Sequence, residues 1–211
     1  MATTDTTDTT DTTAVTAPNT YLRLAARLHE LGTVDAERYA EACAYLADFP
    51  EPGPARRTEE LVETFLQCGL AFSVHGEDVD DAGSAYAWIL DEAAAVLGPG
   101  TGITDVELLG EPGGSRELRF RVNGAEKSWW IEQESDDYLD QGAVHENVAD
   151  LLPDRSLDPR VLHCLPGLDA CADDHYLLAT PEHAALLRDE FALRIEVRGP
   201  DGLPVREDAA P

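Results

Sequence analysis

The chain is most informative first for what it lacks. Lys127 is its only lysine, and arginine supplies the rest of its basic residues. No apolar run approaches the roughly 18 residues that a bilayer-crossing helix needs, so a membrane partner is not expected. Met1 to Ala17 carries neither a positive charge nor an apolar stretch. It does not read as a secretory signal, and the expected location is cytoplasmic. The four cysteines, Cys43, Cys68, Cys164 and Cys171, are too few and too scattered for a disulfide scaffold. Free thiols are expected, with Cys43 and Cys68 as small core hydrophobes.

Catalytic and cofactor signatures are missing too. The chain has no Gly-x-Ser-x-Gly, no Gly-x-Gly-x-x-Gly, no phosphate-binding loop ending in Lys-Ser/Thr and no His-Glu-x-x-His. Gly98-Pro-Gly-Thr-Gly102 is glycine-rich, but it follows a helix rather than a strand and lacks the lysine of a phosphate cradle. No cofactor is expected.

What the chain has in excess is carboxylate. Asp and Glu number 42 against 15 Lys and Arg, a formal net charge of −27 over 211 residues. Such a surface repels nucleic-acid phosphates and anionic lipid and attracts basic partners or cations. A GC-rich genome or a salty cytoplasm would produce a similar balance with no partner at all, because salt screens the repulsion. At 43% hydrophobic the chain still has enough apolar mass to fold as one domain or two tightly packed subdomains.

Four regions follow from the pattern. Residues 1–17 hold nine threonines and the repeat Asp5-Thr-Thr-Asp8-Thr-Thr-Asp11, which predicts a disordered acidic tail. Residues 18–97 read as helical. Asn19 or Thr20 caps a first helix carrying Tyr21, Leu24, Leu28 and Leu31, and a second runs from Asp35 to Phe49. After the break at Pro50, Pro52, Gly53 and Pro54, a third spans Thr58 to Cys68. Leu70 to His75 is ambiguous between strand and extended link. A fourth helix, Ser84 to Leu97, shows Ala85, Trp88 or Ile89, Ala93 and Val96 on its apolar side.

Beyond Gly98 the period changes from 3.6 to 2, and residues 98–200 read as α+β. Strands are expected at Thr104 to Leu109, Arg116 to Val122 and Ala125 to Glu132, the last two joined by an Asn123-Gly124 type I′ turn. A helix from Asp137 to Leu152 precedes strands at Val161 to Leu165 and His175 to Ala179. Thr180 and Pro181 open a last helix, Leu193 to Val197 is the final strand, and 201–211 is a loose acidic end. The predicted architecture is α+β, with N-terminal helices packed on a largely antiparallel sheet in the order β-β-β-α-β-β-α-β.

Three places draw attention as sites. Asp78, Asp80 and Gly83 match a calcium loop at positions 1, 3 and 6, but Ala82 and Ile89 stand where two further ligands belong. His163, Cys164, Cys171, Asp173, Asp174 and His175 include zinc-ligand types. Their spacing contains no Cys-x2-Cys, and alternation sends His163 and Cys164 to opposite faces of a strand. No metal site is predicted.

The third place is Trp129-Trp130. The turn register pairs Leu118 with Trp129, which puts Trp129 with Leu118, Phe120, Val122 and Ile131 on one face. Trp130 then falls with Glu117, Arg119 and Arg121 on the other, either covered by a helix or exposed as a binding anchor. Next come five carboxylates in nine residues, from Glu132 to Asp140. The candidate binding residues are Trp130, Glu134, Asp136, Asp137, Tyr138 and Asp140.

In bulk composition the chain resembles small acidic α+β proteins that neutralise basic toxins, a likeness of class that rests on no motif. It implies a non-enzymatic module of the immunity or antitoxin type that masks or regulates a basic protein partner. One alternative is a small hydrolase or metal-dependent enzyme using the region from His163 to His175. Another is a structural protein whose charge reflects a salty or GC-rich origin.

Overall fold

The computed structural model describes residues 20–53, 56–76, 79–111, 114–132, 138–152, 158–168 and 172–205. The expected acidic tail and the last six residues lie outside them. Within the described residues the fold is α+β, as the periodicity predicts, with every strand pairing antiparallel.

The helices start where short polar side chains can hold unpaired backbone N–H groups. Thr20 accepts from the Arg23 N–H at 3.1 Å to open α1 (Tyr21–Glu30). Asp35 accepts from the Arg38 N–H at 2.8 Å ahead of α2 (Ala36–Leu46). The third helix, α3 (Arg57–Gln67), has no side-chain cap, and Glu59 and Glu60 sit in its first turn, where the helix dipole favours them. Asp81 caps α4 (Ala82–Leu97), and Asp140 caps α5 (Gln141–Asn147), which tightens into a 3-10 turn over Val148–Leu151. The last helix, α6 (Pro181–Phe191), begins on Thr180 with proline in its first turn.

The strands form two sheets rather than the single one expected. The ambiguous segment after α3 is a strand, β1 (Ala71–Val74). It pairs with β6 (Asp174–Ala179), whose other side holds β5 (Val161–Leu165). The second sheet is a meander of β2 (Ile103–Leu109), β3 (Ser115–Val122) and β4 (Ala125–Glu132).

Both faces of the β1–β6–β5 sheet are covered, and all five residues of β5 are buried. Phe72, Val74, Leu162, Cys164, Tyr176 and Leu178 face a core shared with α4, α5 and the inner side of the second sheet. Ala71, Leu165, Leu177 and Ala179 face a second core closed by α1, α2, α3 and α6. The cores therefore do not divide at the change of sequence period: β1 from the helical region is an integral strand, and α4 packs on β1 and β2.

The final strand is reduced. Leu193, Ile195 and Val197 are buried on one side as alternation predicts, but 193–197 makes only one bridge to β5, Cys164 with Glu196. A side chain ends the ladder, because the Arg198 N–H donates to His163 Nδ1 at 2.9 Å instead of to the β5 backbone. The chain then turns back at 199–203, and the Val205 N–H reaches the Val197 carbonyl.

Trp129 is 1% exposed, lies edge-on to Phe120 at 5.0 Å between ring centroids, and donates Nε1–H to Asp150. Trp129→Ala is expected to cost about 3–5 kcal/mol in urea denaturation, with Trp130→Ala staying within about 1 kcal/mol of the parent.

Candidate binding face and the polar cluster at the strand ends

The β3–β4 hairpin turns through Asn123 at φ 50° and Gly124 at φ 83°, both in the left-handed region that a type I′ turn requires. Glycine takes that region freely, and asparagine is among the few side chains that tolerate it. Pairs run without a shift from Val122–Ala125 to Ser115–Glu132, including Leu118–Trp129 and Glu117–Trp130. This is the register the sequence predicts. It puts Leu118, Phe120, Val122, Trp129 and Ile131 in the core.

Of the two alternatives for Trp130, exposure is the observed one. Trp130 is 68% exposed, and no helix among the described residues covers it. Its neighbours across β3 form one row, Leu109–Glu117–Trp130, and Leu109 is also partly open to solvent.

Several charges on this outer face are paired with one another. Glu117 accepts from Arg119 Nη2 and from Ser128 Oγ, each at 2.6 Å, and those bonds hold its carboxyl below the usual carboxylate range. Arg121 lies 3.3 Å from Asp105 and 3.9 Å from Glu126. Exposed pairs of this kind add little stability, and the face keeps an excess of carboxylate because Glu107, Glu117, Glu126 and Glu132 share it with only Arg119 and Arg121. A recess of about 290 Å³ opens between Asp105, Glu107, Arg119, Phe120, Arg121 and Glu126.

The residues after β4 separate into kinds. Glu134, Asp136 and Asp137 lie outside the described residues. Tyr138 is 48% exposed. The Asp140 carboxylate is committed within the fold, since Oδ1 accepts from the Ala143 N–H at 2.9 Å and Oδ2 from the Glu132 N–H at 2.8 Å. Its own N–H donates to the Tyr86 hydroxyl at 3.0 Å. Asp140 thus ties the end of β4 to α5 and the core.

The His/Cys region is split as alternation predicts. Cys164 faces one core, and burial pushes its thiol up to about 12. His163 points to the opposite side, wholly buried. Its Nδ1 accepts from the Arg198 N–H, so Nε2–H donates to the Ala179 carbonyl at 3.1 Å. Burial is the main cause that lowers its pKa to about 4. The Arg198 guanidinium is itself buried and is satisfied by Glu196 and by the backbone and ring of His145. Cys171 and Asp78 lie outside the described residues. Among the described residues no three His, Cys, Asp or Glu side chains gather as metal ligands, and no helix is long and apolar enough to cross a membrane.

Tertiary structure also assembles a contact that the sequence does not announce. Pairing β1 with β6 sets Ser73 opposite His175, with Oγ 2.8 Å from Nδ1. A cavity of about 400 Å³ beside them is lined by Arg56, Glu59, Leu168, Ala172, Asp173 and His175. A serine on a histidine suggests a nucleophile and base, yet among the described residues no carboxylate hydrogen-bonds to His175. Asp173 pairs with His75 rather than His175. The Leu168 N–H donates to Glu59 and the Gly167 N–H to Asp174, so these two backbone donors are already taken by carboxylates. His163 does not line this cavity.

Other exposed aromatics also escape sequence reasoning. Trp88 is 53% exposed while Ile89 is buried, which decides between them on α4. Tyr45 and Phe49 form a small patch against Tyr21. No family model, curated protein or solved structure matches this chain.

Because the folded state holds His163 neutral, the unfolded chain binds an extra proton between pH about 6.5 and about 4. Stability from this group is therefore complete above that window and falls as pH drops through it. Urea denaturation at pH 7 and pH 5 should show a loss of about 2 kcal/mol from this residue. His163→Gln is expected to reduce the pH dependence, and the remaining dependence should include His175, whose pKa burial also lowers.

Proposed function

We propose that this chain is a non-enzymatic protein-binding module that masks or regulates a basic partner, in the manner of an immunity protein or antitoxin. The observation that carries the reading is Trp130, 68% exposed on a strand whose register is held by a tight turn and by the buried Trp129 beside it. A large, rigid aromatic gives contact area at low cost in conformational entropy, and such residues dominate binding energy when a partner desolvates them.

The charge supports the same reading. A net charge of −27 steers a basic protein toward the surface over several ångströms and repels nucleic acid. Tyr138 extends the aromatic surface past β4, and Glu134, Asp136 and Asp137 would supply the steering rim. A cytoplasmic location belongs to this proposal. The Ser73–His175 contact favours a small hydrolase as the second reading, but the carboxylates around it oppose the negative charge that acyl transfer develops.

The test is affinity capture from the native cell extract at low and high salt, followed by titration of the captured protein. Trp130→Ala is expected to weaken binding by about 2 kcal/mol or more while the melting temperature holds. Neutralising Glu134, Asp136 and Asp137 together should chiefly slow association and flatten its salt dependence. Unchanged affinity for Trp130→Ala would remove the anchor from this reading.

A further inference from the structure

We infer that the partner docks on the free edge of β4, adding an extended basic segment of its own as a fourth strand to the β2–β3–β4 sheet. This rests on the reading of the chain as a module for a basic partner, and it specifies how that partner is held.

The argument begins with backbone groups. Across a two-residue turn the closing pair, Val122 and Ala125, exchanges both hydrogen bonds, and antiparallel pairs then alternate. Ala125, Lys127, Trp129 and Ile131 therefore turn their N–H and C=O groups to β3. Glu126, Ser128, Trp130 and Glu132 turn theirs away from it. The Glu132 N–H confirms the phase, because its partner is the Asp140 carboxylate beyond the strand. β4 is the last strand of its sheet, and no described residue pairs with the outward backbone groups of Glu126, Ser128 and Trp130. All three residues are exposed.

The two edges of this sheet are built differently. β2 carries a register shift between Thr104 and Glu107, with Asp105 at φ 56°, and an interruption of this kind prevents another strand from adding there. β4 has no such shift. Among the described residues its protection is charge, with the Asp140 carboxylate closing the Glu132 end: Glu126 and Glu132 stand on the outer face, Glu117 lies beside Trp130, and Lys127 is bound to Asp150.

That protection discriminates by sign. A second copy of this chain would bring its own glutamates and a net charge of −27 against the same edge. A cationic strand would be drawn to it. On an antiparallel guest, the residues opposite Trp130, Ser128 and Glu126 have their side chains on the outer face. The fit is arginine or lysine over the Trp130 indole next to Glu117, a small polar residue at Ser128, and a second cation at Glu126.

The probe is a short synthetic peptide carrying the run Arg-Val-Ser-Val-Arg, whose arginines fall opposite Trp130 and Glu126 and whose serine falls opposite Ser128; it is added to the full-length protein and followed by amide hydrogen exchange and by the Trp130 indole resonance. Docking predicts that the amides of Ser128 and Trp130 exchange at least about tenfold more slowly and that the indole resonance moves. Ser128→Pro removes an outward N–H that β3 does not use, and should weaken the peptide about tenfold or more. Ser128→Ala keeps that N–H and loses only the hydroxyl bond to Glu117, so it should bind within about twofold of the parent. The exchange measurement uses the unaltered protein and decides the matter even where the proline variant folds poorly. An indole shift without amide protection would overturn edge pairing and leave the Trp130 face as the binding surface. No response in either signal would overturn both. Protection that grows with the protein's own concentration would replace the basic guest with a second copy.

Discussion

Pairing of β1 with β6 is the constraint on which the remaining architecture depends. It sets Ala71–Val74, which follow three helices, against Asp174–Ala179 near the far end of the chain, and the Leu178 N–H to Leu70 carbonyl bond continues the contact. With β5 on its other side, β6 becomes the middle of a sheet that has a core on each face. One core gathers the early helices with α6, and the other gathers α4, α5 and the second sheet. The chain after β4 is also fastened to this pairing. The Leu139 N–H reaches the Gly76 carbonyl, and Gln141 Nε2 donates to the Val74 carbonyl. The hairpin that carries Trp130 is thus positioned by contacts far from it in sequence.

A chain with this much like charge must place its carboxylates where they cost little. Several do structural duty at helix starts, where Asp35, Asp81 and Asp140 accept backbone N–H bonds and the dipole favours a negative group. Others sit in pairs with the scarce arginines: Glu190 with Arg23 and Arg27, Glu117 with Arg119, Asp158 with Arg160. The buried cation, Arg198, is satisfied by Glu196 and His145 rather than left alone, since an isolated buried charge would cost several kcal/mol, roughly. The carboxylates not used this way remain in water. They repel one another only weakly there, because salt screens them.

Sequence and structure agree most closely where the interactions are local. Helix starts at Thr20, Asp35 and Thr180 follow from cap chemistry within three residues. The hairpin register follows from Asn123-Gly124 because a two-residue turn leaves no freedom to slip without reversing every side chain. That register is enough to send Trp129 inward and Trp130 to the opposite face, so the facing of both tryptophans was legible from residues 115–132 alone. Alternation likewise separated His163 from Cys164.

What the tertiary structure alone decided concerns residues whose surroundings come from distant segments. Whether anything covers Trp130 depends on where α5 lies, and α5 is held by Asp140, Gln141 and the inner core rather than laid over the outer face. Period could not choose between Trp88 and Ile89, because the two faces of α4 differ only in what packs against them. The final strand has the right alternation but loses its ladder to a histidine side chain 35 positions away. Ser73 and His175 meet only because β1 and β6 pair, and a serine in an ambiguous six-residue segment carries no sign of that meeting. Composition and local spacing therefore determined the class of fold, the hairpin, its register and the acidic surface. Long-range strand pairing decided the two-sheet arrangement, the exposure of Trp130 and the open edge of β4, because these depend on contacts whose energy is shared between segments that the sequence keeps far apart.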